Sequence, residues 1–183
     1  MTALLLSDDD ERALSRPQVL LSCAWRIVKA CSMLLSTLLD FKLSKGKATH
    51  FLLPETHLKD MGVRLRTLLA TIRHHGAFRS LVPTFDALCA RCAISTMQET
   101  SVLPALWLEE SFNEIEFRNN IGISRRSAGL PFMVLASLKC ETNATRPLLQ
   151  RSIDHLSRMA VLPIEAEDEY RDDLVQVIFF HIL

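Results

Sequence analysis

Apolar residues recur at helical spacing along almost the whole chain. Leu20, Cys23, Ile27, Cys31, Leu34 and Leu38 form one stripe between about Pro17 and Lys42. Pro17 suits a helix start, where its missing N–H costs little. Leu21, Trp25, Val28 and Leu35 lie off that stripe, so this helix is expected to be buried between neighbours rather than on one side only. A second stripe, Leu58, Met61, Leu65, Leu68 and Ile72, is opened by Pro54 and closes near Gly76. Phe78, Leu81, Phe85, Leu88 and Cys92 form a third, and Leu103, Leu108, Phe112 and Ile115 a less regular fourth. Met133, Leu135 and Leu138 follow a turn at Ser127–Pro131; Leu149, Ile153, Leu156 and Ala160 follow Arg146-Pro147; a seventh segment starts near Asp172.

No run of period-two alternation bounded by turn residues is evident, so strands are not expected. Helical segments joined by short polar or proline-bearing links predict an all-α fold of antiparallel helix pairs. In series they would stack as a HEAT/armadillo-like solenoid segment, with a closed bundle as the competing architecture. Residues 1–16 read as a polar lead-in and 17–183 as the helical-repeat segment. Val175, Val177, Ile178, Phe179, Phe180, Ile182 and Leu183 crowd the last nine positions. Left uncovered they would form a large apolar patch. The expectation is a fragment truncated at its C-terminus and poorly soluble alone.

Charge adds a local asymmetry. Lys plus Arg and Asp plus Glu number 21 each, so net charge names no partner. Yet residues 118–151 carry six basic side chains against Glu141 alone, and 165–173 carry six acids against Arg171. Such polarisation permits electrostatic docking on one face. The five cysteines lie in or beside apolar helical stretches and are odd in number; they give no disulfide framework and favour a reducing compartment. No export signal and no uninterrupted apolar run of about 18 residues is present, so the cytoplasm is the expected location and no membrane association is expected.

Candidate chemistry is sparse. Cys89-Ala90-Arg91-Cys92 is a single C-x-x-C without a second pair, which reads as core packing rather than a metal site. His74-His75 reads as a turn that caps a helix C-terminus. No nucleophile elbow, phosphate loop or metalloprotease helix occurs, so no catalytic residue, cofactor or metal is expected. The most pointed feature is Arg125-Arg126-Ser127-Ala128-Gly129-Leu130-Pro131. Ser127 is a candidate N-cap, and Gly129 would allow another backbone to approach closely. Two arginine forks beside free helix N–H groups would make a phosphate site; the alternative is an interhelical turn whose arginines pair with acidic neighbours.

That heptapeptide resembles the signature of the THADA family. Two further stretches agree in order and rough spacing: Ser22-Cys23-Ala24-Trp25-Arg26-Ile27-Val28-Lys29, similar to the family's tryptophan-arginine helix, and Ile72-Arg73-His74-His75-Gly76-Ala77-Phe78, similar to its Arg-His-x-Gly-Ala turn. Asp173–Val177 resembles the start of the next family helix, so the likeness runs from about Pro17 to the end. Ala30 departs from it, standing where an acidic residue is expected. The resemblance implies a long helical-repeat scaffold without chemistry of its own. Its fungal members partner a tRNA ribose 2′-O-methyltransferase that acts on the anticodon loop. It implies that enzyme, with or without tRNA, as partner. Arg125, Arg126, Ser127, Gly129 and Pro131 are the implied binding residues, and Trp25, Arg26, Lys29, Arg73, His74 and Gly76 the architectural ones. A protein-interaction solenoid with no RNA role, or an inactive fragment, stands as the alternative.

Overall fold

The first long apolar stripe forms the longest helix, α1 (Arg16–Asp40), in a computed structural model that describes residues 16–45, 48–72, 74–117 and 129–161. It is followed by α2 (Leu58–Thr71), α3 (His75–Ala93), the single turn α4 (Gln98–Ser101), α5 (Leu103–Phe117), α6 (Leu130–Lys139) and α7 (Pro147–Ala160). The all-α reading therefore holds, with helix limits close to those the stripes predict. The lead-in before Arg16 and the segment expected from about Asp172 lie outside the described residues.

One local expectation is corrected. Lys42–Lys45 and Ala48–Phe51 pair as a small antiparallel hairpin, β1 and β2, with Lys42 opposite Phe51 and Lys45 opposite Ala48. Four residues per strand are too few for alternation to stand out, and packing supplies what propensity does not. The Phe51 ring lies between Lys42, whose Nζ is 5.0 Å from the ring centre, and the buried Arg91 of α3, whose guanidinium carbon is 3.6 Å away. Arg91 also holds Glu55 at 3.4 Å, in the 3-10 turn Glu55–His57 that leads into α2. Burying a guanidinium demands such partners.

Inter-helix contacts set the architecture. Gly62 abuts Trp107, and Arg66 pairs with Glu110 and, at 3.8 Å, with Glu114; α2 and α5 therefore run parallel. Phe78 meets Phe132 edge to face, and further along Asp86 bonds Lys139 at 3.2 Å, so α3 and α6 are parallel too. Trp25 meets His74, and Ser32 accepts a hydrogen bond from Thr84 at 3.0 Å, which places α1 parallel to α3. Arg151 reaches Glu109 at 3.0 Å and His155 stacks on Phe112, which places α7 parallel to α5. The helices thus form two layers, α1–α3–α6 and α2–α5–α7. Each consecutive pair is a hairpin, and successive hairpins repeat in one direction, as solenoid stacking requires.

Between the layers lie Leu58, Leu65, Leu69, Leu81, Phe85, Leu88, Trp107, Leu108, Phe112, Met133 and Val134, all buried. Pro83 sits inside α3 without ending it. The neighbouring Thr84 hydroxyl, shared between the Ser80 and Ser32 carbonyls, ties that stretch to α1. At the other end Glu141 accepts hydrogen bonds from the Leu148 and Leu149 amides at 2.7 and 3.2 Å, satisfying donors that the first turn of α7 leaves open.

Helix α1 departs from its expected two-sided burial. Leu20, Ile27, Met33 and Leu34 are exposed, while Ser32 and Leu39 are buried against α3. By length and composition alone it is apolar enough to cross a membrane. Its parallel packing on α3 makes it the outermost described helix of its layer, and an apolar outer face is what a repeat helix without its next neighbour presents.

The Glu55 contacts generate a pH prediction. The Ser95 hydroxyl, then the Arg91 guanidinium, hold the Glu55 carboxyl below its ordinary value of 4.5 against the opposing pull of burial. A carboxyl lowered on folding stabilises above its unfolded value, and that contribution disappears as pH falls through the folded one. Glu55→Gln should therefore melt below wild type at neutral pH, with the difference closing as thermal melts are taken progressively below pH 4.5.

Candidate functional site

The parallel layer brings the N-termini of α3 and α6 to one edge, and the sequence-singled residues gather there. His74 is the N-cap of α3: its backbone is extended, and its Nδ1 accepts from the Ala77 amide at 3.3 Å. This corrects the expectation of a C-terminal cap. Helix α2 ends at Thr71, Ile72 is extended, and His74 belongs to the following helix. The Trp25 indole stacks on His74, with ring centres 5.2 Å apart and planes inclined by 11°. Such a stack adds about 0.5–1.5 kcal/mol to what burial alone supplies, and it fixes the imidazole that caps the helix.

Gly76 lies under that stack. A Cβ there would sit 3.2 Å from His74 Cε1 and 3.5 Å from Trp25 Cε3, so even alanine would press on the rings. Arg26 and Lys29, on the helix that carries Trp25, are exposed. Arg73 lies outside the described residues.

At the second N-terminus the cap position is Gly129, not Ser127. Its φ of −80° is open to any residue, so conformation does not demand glycine. Space does. A Cβ would lie 2.3 Å from the Leu69 carbonyl oxygen and 2.7 Å from its carbon, both backbone atoms of α2. The close approach expected of Gly129 is thus present, and its partner is the last turn of α2. Pro131 is buried in the first turn of α6, and Phe132 meets Phe78 at 5.2 Å between ring centres. Arg125, Arg126 and Ser127 lie outside the described residues.

The structure therefore joins Trp25, His74 and Gly76 into one cluster and pins Gly129 and Pro131 beside it, through Leu69 and the Phe78–Phe132 pair. That aromatic pair was not foreseen as a contact. Its signal was present, since one phenylalanine closes each of two motif stretches. Chemically, the edge offers the positive ends of two helix dipoles side by side. Gly129 supplies no side-chain acceptor to the amides of α6, and basic residues precede both helices in sequence. Such an edge suits an anionic or phosphate-bearing partner.

Comparison with known proteins agrees with this pattern of motifs. A family described as THADA/TRM732, DUF2428 matches residues 2–183. The chain is 32% identical over 153 residues to the tRNA (32-2′-O)-methyltransferase regulator trm732 of Schizosaccharomyces pombe, covering 82% of this chain and 10% of that protein. Against the regulator THADA of Drosophila melanogaster it is 30% identical, over 70% of this chain and 8% of the relative. Against that of Mus musculus it is 29% identical, over 91% and 9%. The chain thus spans about a tenth or less of the relatives it matches. No solved structure gives a significant match.

Two stability outcomes follow. Gly129→Ala should cost about 1–3 kcal/mol in denaturant melts, as overpacking against rigid backbone does. Trp25→Ala and His74→Ala should be non-additive, with a coupling of about 0.5–1.5 kcal/mol in a double-mutant cycle; strict additivity would show that the stack holds nothing.

Proposed function

Because the chain belongs to the THADA/TRM732 family, we propose that it is a non-catalytic segment of a regulator of tRNA ribose 2′-O-methylation. In this reading it is a scaffold that helps a methyltransferase and its anticodon-loop substrate meet. The observation that carries the proposal is the shared edge. Two successive helices, α3 and α6, begin side by side, each pinned by a family motif and each preceded in sequence by arginine. A repeat protein that presents successive helix N-termini along one edge can follow a phosphodiester backbone without reading bases. Arg125 and Arg126 are the phosphate-contacting residues in this reading. Arg26 and Lys29, exposed on α1, extend the basic surface towards the preceding helix layer.

The test is mapping of ribose methylation in the tRNA anticodon loop by mass spectrometry, with and without the gene. Loss of one methyl mark, restored by the wild-type gene but not by an Arg125→Ala/Arg126→Ala variant, is the expected result. In filter-binding titrations the same double variant should weaken tRNA binding. It should also flatten the salt dependence, by roughly 0.7–0.9 in the log–log slope for each phosphate no longer neutralised. Unchanged methylation and unchanged salt slope would favour the alternative, a solenoid that binds protein only.

A further inference from the structure

At the opposite end of the same two helices lies a cluster of sulfur atoms that the scaffold reading leaves unused. Cys89 and Cys92 sit one turn apart on α3, both fully buried. Cys140 follows the last residue of α6 and is half-buried. The Cys89 thiol hydrogen-bonds to the Cys140 sulfur, and the Cys140 thiol in turn donates to the Ser137 carbonyl at 3.1 Å. All five cysteines of the chain are free thiols. Among the described residues no three His, Cys, Asp or Glu side chains are grouped to hold a metal ion, so the chemistry open to this cluster is that of sulfur with sulfur.

We propose that Cys140 and Cys89 form an oxidisable thiol pair, with Cys140 the attacking and Cys89 the resolving sulfur towards a small hydroperoxide. The division of labour follows from access and from charge. Cys140 is the member of the pair that solvent reaches. The hydrogen bond from Cys89 holds the Cys140 thiol below its ordinary value, although burial opposes it. The same bond and complete burial push Cys89 strongly upward, so it stays a thiol until the second step. Burial pushes Cys92 up to about 12, which keeps it protonated as well. Asp86 faces both Cys89 and Cys140 and is itself bonded to Lys139, whose ammonium offsets part of that negative charge.

The steps balance. The Cys140 thiolate attacks one oxygen of hydrogen peroxide and the O–O bond breaks. The departing hydroxide takes a proton to become water, leaving Cys140 as a sulfenic acid. The Cys89 sulfur then attacks the Cys140 sulfur, the S–O bond breaks, and the hydroxyl leaves with the Cys89 proton as a second water. Two thiols are oxidised to one disulfide and one peroxide is reduced to two waters. The new bond would join α3 to α6 near their C-terminal ends and tie two consecutive repeats together. Cys23 and Cys31 are exposed on α1 and stand outside this cluster, which makes them internal controls for simple accessibility.

The experiment treats the whole chain with hydrogen peroxide, blocks remaining thiols by alkylation, and maps peptides without reduction. The expected product is a Cys89–Cys140 cross-linked peptide, lighter by two hydrogens than its separate halves and abolished by Cys140→Ser. In Cys89→Ser, Cys140 should accumulate as a sulfenic acid that dimedone captures. Because the wild-type map is read by itself, the proposal stays testable if either variant folds poorly. A Cys92–Cys140 link, or oxidation confined to Cys23 and Cys31 with Cys140 fully alkylated, would overturn it. None of these readouts depends on tRNA or on methylation.

Discussion

The burial of α3 between two parallel neighbours is the constraint on which the other features rest. One side of it meets α1 through Trp25 and Ser32, and the other meets α6 through Phe132 and Lys139. Its own residues Ala77, Leu81, Phe85, Leu88, Cys89 and Cys92 are almost wholly withdrawn from water. Each large apolar side chain so buried stabilises by about 1.5–3 kcal/mol relative to exposure. A sliding error of one turn would move those side chains out of their sockets, so the register of the layer is strongly determined. Once α3 is fixed in register with both neighbours, the N-termini of α3 and α6 must share an edge. The cysteines at the other ends of the same helices must meet as well.

Small residues set how near the second layer can come. Gly62 admits the Trp107 indole between α2 and α5, and Gly129 admits the carbonyl of Leu69 at the start of α6. Interiors are packed densely enough that a single added methyl at such points is felt. Polar groups then fix orientation where apolar contact is indifferent. Arg66 reaches from α2 to two glutamates of α5, and Arg91 is held between Phe51 and Glu55. The short hairpin is therefore not an independent element. It is a cover for a buried guanidinium, and its aromatic face is what makes that burial tolerable.

The family motifs acquire a physical meaning from this arrangement. Tryptophan on α1, histidine and glycine at the start of α3, and glycine and proline at the start of α6 all act where a helix begins. They cap, stack or make room, and together they hold two helix origins in line. Binding residues placed next to such origins would inherit a defined position from the scaffold. That links the architectural motifs to the proposed role in tRNA modification without asking any described side chain to perform chemistry.

Helical periodicity by itself determined the class of fold, the approximate limits of the helices and the burial of Cys89 and Cys92, because amphipathic spacing is a local property of the chain. It also marked Gly129 as a point of close approach. The partner of that glycine, the Leu69 carbonyl, was beyond reach, since 60 positions separate the two and only packing brings them together. The same holds for Trp25 on His74, Phe78 on Phe132 and Cys89 beside Cys140. His74 was assigned to the wrong helix end because a turn between two helices offers a C-terminus and an N-terminus at once, and only the hydrogen bond to Ala77 chooses. The hairpin escaped notice because four-residue strands have too little pattern, and their stability comes from Arg91, a residue of a different element. Tertiary structure alone decided the exposure of α1. Its sequence is apolar on two sides, and which side is covered depends on the neighbours it is given.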